Sequence, residues 1–111
     1  TMGANFALTG GPPKEITGTT HTLSAIEGVA TRRTTSSSSV TITVPPHAVS
    51  PFRIGQRFEI ERGGTGTVTI LAGSGVTLNS PGGRTSIASR YSKVWLEKVS
   101  ADNWTLTGDL A

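Results

Sequence analysis

From Thr19 onward the chain alternates apolar and polar residues with a period of two, as strands that bury one face do. Val40, Ile42 and Val44 alternate with Thr41 and Thr43 until Pro45-Pro46 ends the run. Phe58 and Ile60 alternate with Arg57, Glu59 and Glu61, which sets three charges on one solvent face. Val68 and Ile70 alternate with Thr67, Thr69 and Leu71, and Val76 and Leu78 follow Gly73-Ser74-Gly75. Between the runs stand Gly63-Gly64, Gly73-Ser74-Gly75 and Ser80-Pro81-Gly82-Gly83, which read as hairpin turns where φ must be positive. Helical periodicity nowhere persists beyond a turn. The pattern predicts an all-β domain over residues 19–111, a small antiparallel β-sandwich or β-barrel.

One run is apolar on both faces. Between Tyr91 and Val99, Val94 and Leu96 share one side, while Tyr91, Trp95 and Val99 share the other with Lys93 and Glu97. A strand of that kind is central in its fold or covered by a partner. Aromatic anchors bordered by charge are common at subunit contacts, so Tyr91, Trp95 and Val99 are the candidate interface residues. Trp104 and Leu106 follow a turn at Ser100–Asn103 and complete a hairpin, with Trp104 expected in the core. Residues 1–18 lack the alternation and contain the breaker cluster Gly10-Gly11-Pro12-Pro13; they read as an extended N-terminal arm or linker. Thr1 precedes Met2, so the first residue is either an appendage or an internal point of a longer chain.

Composition sharpens this picture mainly by exclusion. The 111 residues include 18 Thr, 12 Ser and 14 Gly, with 34% hydrophobic and 15% charged residues. Thr is a strand former, so a Thr-rich chain can be ordered, but its core will be thin. No cysteine is present, which excludes disulfides and thiolate metal sites. No apolar run is long enough for a membrane helix, and no segment reads as a signal peptide. The net charge of +3 comes from ten cations against seven anions, scattered singly except for Arg32-Arg33. That is a mildly basic surface rather than a polyanion-binding stripe.

The search for chemistry returns little. His21 and His47 have no second histidine at metal-ligand spacing; His21 reads as a strand-face residue and His47 as a surface loop residue. Glu59 and Glu61 could flank a cleft as a glycosidase pair, but beside Arg57 on one strand face they read as a solubilising stripe. No G-x-S-x-G elbow, phosphate-binding loop or dinucleotide fingerprint occurs, so neither an enzyme nor a cofactor is expected. The six aromatics, Phe6, Phe52, Phe58, Tyr91, Trp95 and Trp104, leave few rings to stack bases, so nucleic acid is not an expected partner.

The C-terminal part carries an ordered series of short motifs. Phe52-x-x-Gly55 is followed by Gly64-x-Gly66-x-Val68-Thr-Ile70, Gly75-Val-Thr-Leu-Asn79, Tyr91-Ser-x-Val94-x-Leu96-x-Lys98 and finally Asp102-x-Trp104-x-Leu-Thr-Gly-Asp-Leu110. With Val40-Thr-Ile-Thr-Val44 before it, the series resembles the C-terminal module of tailed-bacteriophage head-fibre, decoration and tail-fibre proteins, over roughly residues 20–111. The resemblance implies a homotrimer, a virion location, a structural or attachment role and no enzymatic activity. Its partners would be copies of itself, a major capsid or other virion protein, and, on a fibre tip, a host-surface glycan or protein. Residues 1–18 would then be the docking arm, with Phe6, Leu8, Pro12 and Pro13 as candidate contacts. A reading from another class is a monomeric β-barrel binding nucleic acid or sugar.

Overall fold

The computed structural model describes residues 14–24 and 31–111. Among the described residues there are nine strands: β1 (Lys14–Ile16), β2 (Thr20–Thr22), β3 (Thr31–Thr34), β4 (Val40–Val44), β5 (Arg57–Arg62), β6 (Val68–Ala72), β7 (Thr77–Asn79), β8 (Lys93–Ser100) and β9 (Asn103–Gly108). They form a six-stranded sheet in the order β1-β3-β5-β8-β9-β7 and a three-stranded sheet in the order β2-β4-β6. The first six strands go to the two sheets by turns, odd to one and even to the other. Up to β6, each sheet therefore gains a further strand only when the chain has passed through the other.

That path makes the pairings β1–β3–β5 and β2–β4–β6 parallel. Thr31 lies beside Glu59 and Val40 beside Val68, the same sequence step in both sheets. The Val-Thr-Ile of β4 consequently lies in register on the Val-Thr-Ile of β6. Only β5–β8 and β8–β9 are antiparallel. The expected antiparallel arrangement thus holds for the C-terminal hairpin and its neighbour alone. Period-two alternation reports which side of a strand is buried and carries no information on strand direction.

Residues 35–39 join β3 to β4 and residues 63–67 join β5 to β6, so the two corners stack. Gly66 N–H donates to the Ser36 carbonyl (3.0 Å) and Val40 N–H to the Thr67 carbonyl (2.7 Å). A Cβ on Gly64 would fall on the carbonyl of Ser36, and one on Gly66 on that of Ser38. Neither glycine is among the residues with positive φ. Their role is close backbone approach between stacked turns of chain, not the hairpin geometry expected from the sequence. The free side of β6 is closed by residues 85–87, through Ile70 N–H to the Thr85 carbonyl and Ile87 N–H to the Val68 carbonyl (both 2.9 Å).

Both sheets turn their apolar side to one core. Val40, Ile42, Val44, Val68 and Ile70 come from the three-stranded sheet, and Phe58, Ile60, Val94, Leu96, Trp104 and Leu106 from the six-stranded one. Ile16 of β1 is part of it, and Lys14–Ile16 pairs with Arg32–Thr34. Residues 14–16, expected within the arm, therefore belong to the sheet; Phe6, Leu8, Pro12 and Pro13 lie outside the described residues. Trp104 sits in the core as expected, edge-on to Phe52 (centroids 5.3 Å apart, 85°) and Phe58 (5.8 Å, 72°).

Candidate functional site

The predicted interface strand is β8, and its alternation is as the sequence implies: Val94 and Leu96 are buried, Trp95 and Val99 point out. The surroundings of Trp95 are more crowded than its sequence suggests. Register places Glu59 and Thr107 on either side of it, and the Arg57 guanidinium lies 4.7 Å from its ring centroid. A cation over an indole face contributes about 0.5–1 kcal/mol at an exposed position. Trp95 is left 37% exposed.

Around it the outer face of the six-stranded sheet is a ladder of alternating charge. Arg33 bridges Glu15 and Glu61 (both 3.5 Å), and Lys93 meets Glu59 at 3.7 Å. Thr31 donates its hydroxyl to Glu59 as well (3.2 Å). Glu59 and Glu61 are therefore held by cations from neighbouring strands, and β5 lies inside the sheet rather than at its edge. Each pair contributes about 1 kcal/mol or less, but together they tie Glu15, Glu59 and Glu61 to cations of the same chain.

Tyr91 is not on the strand that carries Trp95. It precedes β8 in a turn closed by Ser92 N–H to the Ser89 carbonyl (3.1 Å), with φ of 71°. The left-handed region disfavours a side chain with a Cβ by roughly 1–2 kcal/mol. The Tyr91 N–H bond to the Arg62 carbonyl (2.6 Å) and the Arg90 guanidinium 4.8 Å from the ring hold the residue there. The strand begins at Lys93, two residues after Tyr91.

On a fibre, loops at one end would bind the host surface, with 45–56, 63–66, 72–75 and 80–90 as the sequence candidates; these do not all gather at one end. Residues 45–56 and 73–76 lie together, with Gly73 N–H bonded to the Val44 carbonyl (2.8 Å), whereas 63–66 belongs to the stacked corner opposite. Loop 45–56 carries the most exposed large aliphatic side chains among the described residues, Val49 at 72% and Ile54 at 59%. It is tied to the β8–β9 hairpin by Gly55 N–H to the Lys98 carbonyl (2.7 Å) and Lys98 N–H to the Gln56 carbonyl (2.9 Å).

Lys98 also anchors this loop from inside, which the sequence reading missed. Its side chain is buried at 1% exposure, with Nζ 2.8 Å from the Phe52 carbonyl and 2.6 Å from Nδ1 of His47. The His47 N–H donates to the Asp102 carboxylate (2.8 Å). His47 is accordingly a partner of a buried ammonium rather than the loop-surface residue expected. His21 lies on β2, paired in register with Ile42.

Burial pushes the Lys98 ammonium below its ordinary 10.5, and the negative charge of Asp102 offsets part of that. An unfolded lysine keeps its proton up to the ordinary value, so between the two values the unfolded chain binds more protons and stability rises with pH. The cost is fully present below the folded value and is relieved as pH climbs through it toward 10.5. Urea midpoints measured from neutral to alkaline pH should rise for the native chain and lose that rise in Lys98→Met. An identical slope in both would show that Lys98 is not the group responsible.

No three His, Asp or Glu side chains come together to hold a metal ion among the described residues. What the molecule offers is surface: an ion-paired face around Trp95, an apolar loop around Val49 and Ile54, and the outer face of the three-stranded sheet. Comparison with protein-family models, curated proteins and solved structures gave no match.

Proposed function

We propose that this chain is a non-enzymatic structural module of a tailed-bacteriophage virion, a homotrimeric capsid decoration or head-fibre module. The observation that carries the reading is the closing motif Trp104-x-Leu-Thr-Gly-Asp-Leu110, whose residues have separate jobs in the fold. Trp104 and Leu106 fill the core. Gly108 has φ of 123°, and a Cβ there would meet Lys93 O and Val94 Cα at 2.8 Å. Asp109 accepts the Ser92 hydroxyl (2.5 Å), and Leu110 bridges Ile87 across the sheet end. The motif thus supplies one strand of the C-terminal hairpin and its closure, and the proposal rests on its likeness to the closing motif of those modules.

Assembly accords with the surface. Leu71 remains half exposed on a strand, and identical copies arranged by rotation can cover such a residue. In this reading residues 1–13, with Phe6, Leu8, Pro12 and Pro13, dock the module on the capsid protein. Light scattering at micromolar concentration should report three times the 11.5 kDa chain mass; a clean monomer overturns the reading.

A second placement, the tip of a tail fibre bound to a host-surface glycan or protein, is favoured by the exposure of Val49 and Ile54 on loop 45–56. Copy number separates the two, since decoration requires many more copies per particle than a fibre tip.

A further inference from the structure

The homotrimer reading leaves open which face the copies share; resting on it, we infer that they meet through the threonine face of the three-stranded sheet, not through Trp95. The two outward faces differ in kind. Parallel register puts Thr20 beside Thr41 and Thr41 beside Thr69, and an antiparallel bridge adds Ser86. One row over, Thr22, Thr43 and Leu71 lie side by side. No charged residue occupies any of these positions. Neighbouring strands stand ~4.8 Å apart, so the rows form an even grid of hydroxyls that ends in Leu71, half exposed at 51%.

Most of those hydroxyls are unused. Thr69 Oγ1 and Ser86 Oγ lie 3.2 Å apart, while the side-chain hydroxyls of Thr20, Thr22, Thr41 and Thr43 have no partner among the described residues. In a cyclic assembly, side chains close to the rotation axis meet their own copies. A threonine hydroxyl is both donor and acceptor and can bond to its own copy, and its methyl group packs beside it. A carboxylate or guanidinium in the same place meets its own charge. The outer face of the six-stranded sheet, with Glu15, Arg33, Glu61, Glu59 and Lys93 already matched within the chain, would have to surrender those pairs to pack on itself. The Trp95 ring is already stacked by the Arg57 guanidinium of its own chain. The partner whose chemistry fits the threonine grid unchanged is a second copy of this chain.

The test is mass by light scattering for variants on each face, with far-UV circular dichroism to follow the fold. Thr41 is central in the sheet and its side chain points outward. Thr41→Glu and Thr41→Lys are each expected to run at the 11.5 kDa monomer mass with native dichroism. Thr43→Glu, on the next row, gives an independent reading, and Trp95→Glu is expected to keep the native assembly. If the threonine variants stay assembled, or if Trp95→Glu dissociates the protein, the inference falls while the homotrimer stands. A monomeric native chain overturns both.

Discussion

Trp104→Ala should be the most damaging single truncation in the core, lowering stability by about 3–5 kcal/mol. A small domain has roughly 5–15 kcal/mol in total, so a measurable unfolded fraction is expected without denaturant at the low end of that range. The indole closes an aromatic triad with Phe52 and Phe58, and the Lys98 ammonium lies 5.9 Å from its ring. Removing it opens a cavity beside a buried cation, which compounds the loss. Trp104→Phe should cost much less than its lost area suggests. The Trp104 Nε1–H is buried without a hydrogen-bond partner among the described residues, and an unsatisfied donor of that kind costs about 1–3 kcal/mol. Phenylalanine deletes it. Urea unfolding followed by far-UV dichroism, with unchanged slope, checks both; equal losses for Ala and Phe would show that the ring's packing is not what matters.

Gly66→Ala carries the second large effect and acts by another route. The methyl group would be driven into the carbonyl of Ser38, and backbone cannot swing aside as a flexible side chain can. Overpacking typically costs about 1–3 kcal/mol, and a shift here separates two stacked corners at once. Gly75→Ala is the internal control. Gly75 has φ of 77° but nothing within 4 Å of its Cβ position, so alanine there pays only the left-handed penalty, about 1–2 kcal/mol. The difference between the two unfolding midpoints isolates the stacking. A Gly66→Ala protein no less stable than Gly75→Ala would mean the corners are not packed as described.

What the residues disclosed of this architecture was sidedness. Val40, Ile42, Phe58, Ile60, Val94, Leu96 and Trp104 were each assignable to the core because alternation marks the buried side. Direction and partner were not so marked. The coil was faintly written in the repeated Val-Thr-Ile of 40–42 and 68–70, yet two copies of a common triplet carry little weight until the pairing is known. Gly64 and Gly66 were misassigned because a glycine needed for close approach and one needed for positive φ look alike in one dimension. Lys98 was legible in principle: it has the same parity as Val94 and Leu96 and therefore points inward. Its charge argued for the surface, and only its partners, His47 and the Phe52 carbonyl, distant in the chain, make burial tolerable. Tyr91 failed for the opposite reason, since nothing in the local pattern announced that the strand begins at Lys93.

The alternation of strands between two sheets also governs the order in which this protein can be made. In the three-stranded sheet every ladder joins residues separated by an entire excursion through the other sheet, and such distant closures are slow. The one pairing closed by a short turn is the β8–β9 hairpin, yet it leaves the ribosome after all the strands of the coil. Until it arrives, β5 has a bare edge and Phe58 lacks Trp104. During synthesis the nascent chain is therefore a set of unpaired β-edges awaiting their cap, the state in which strands of separate chains join wrongly.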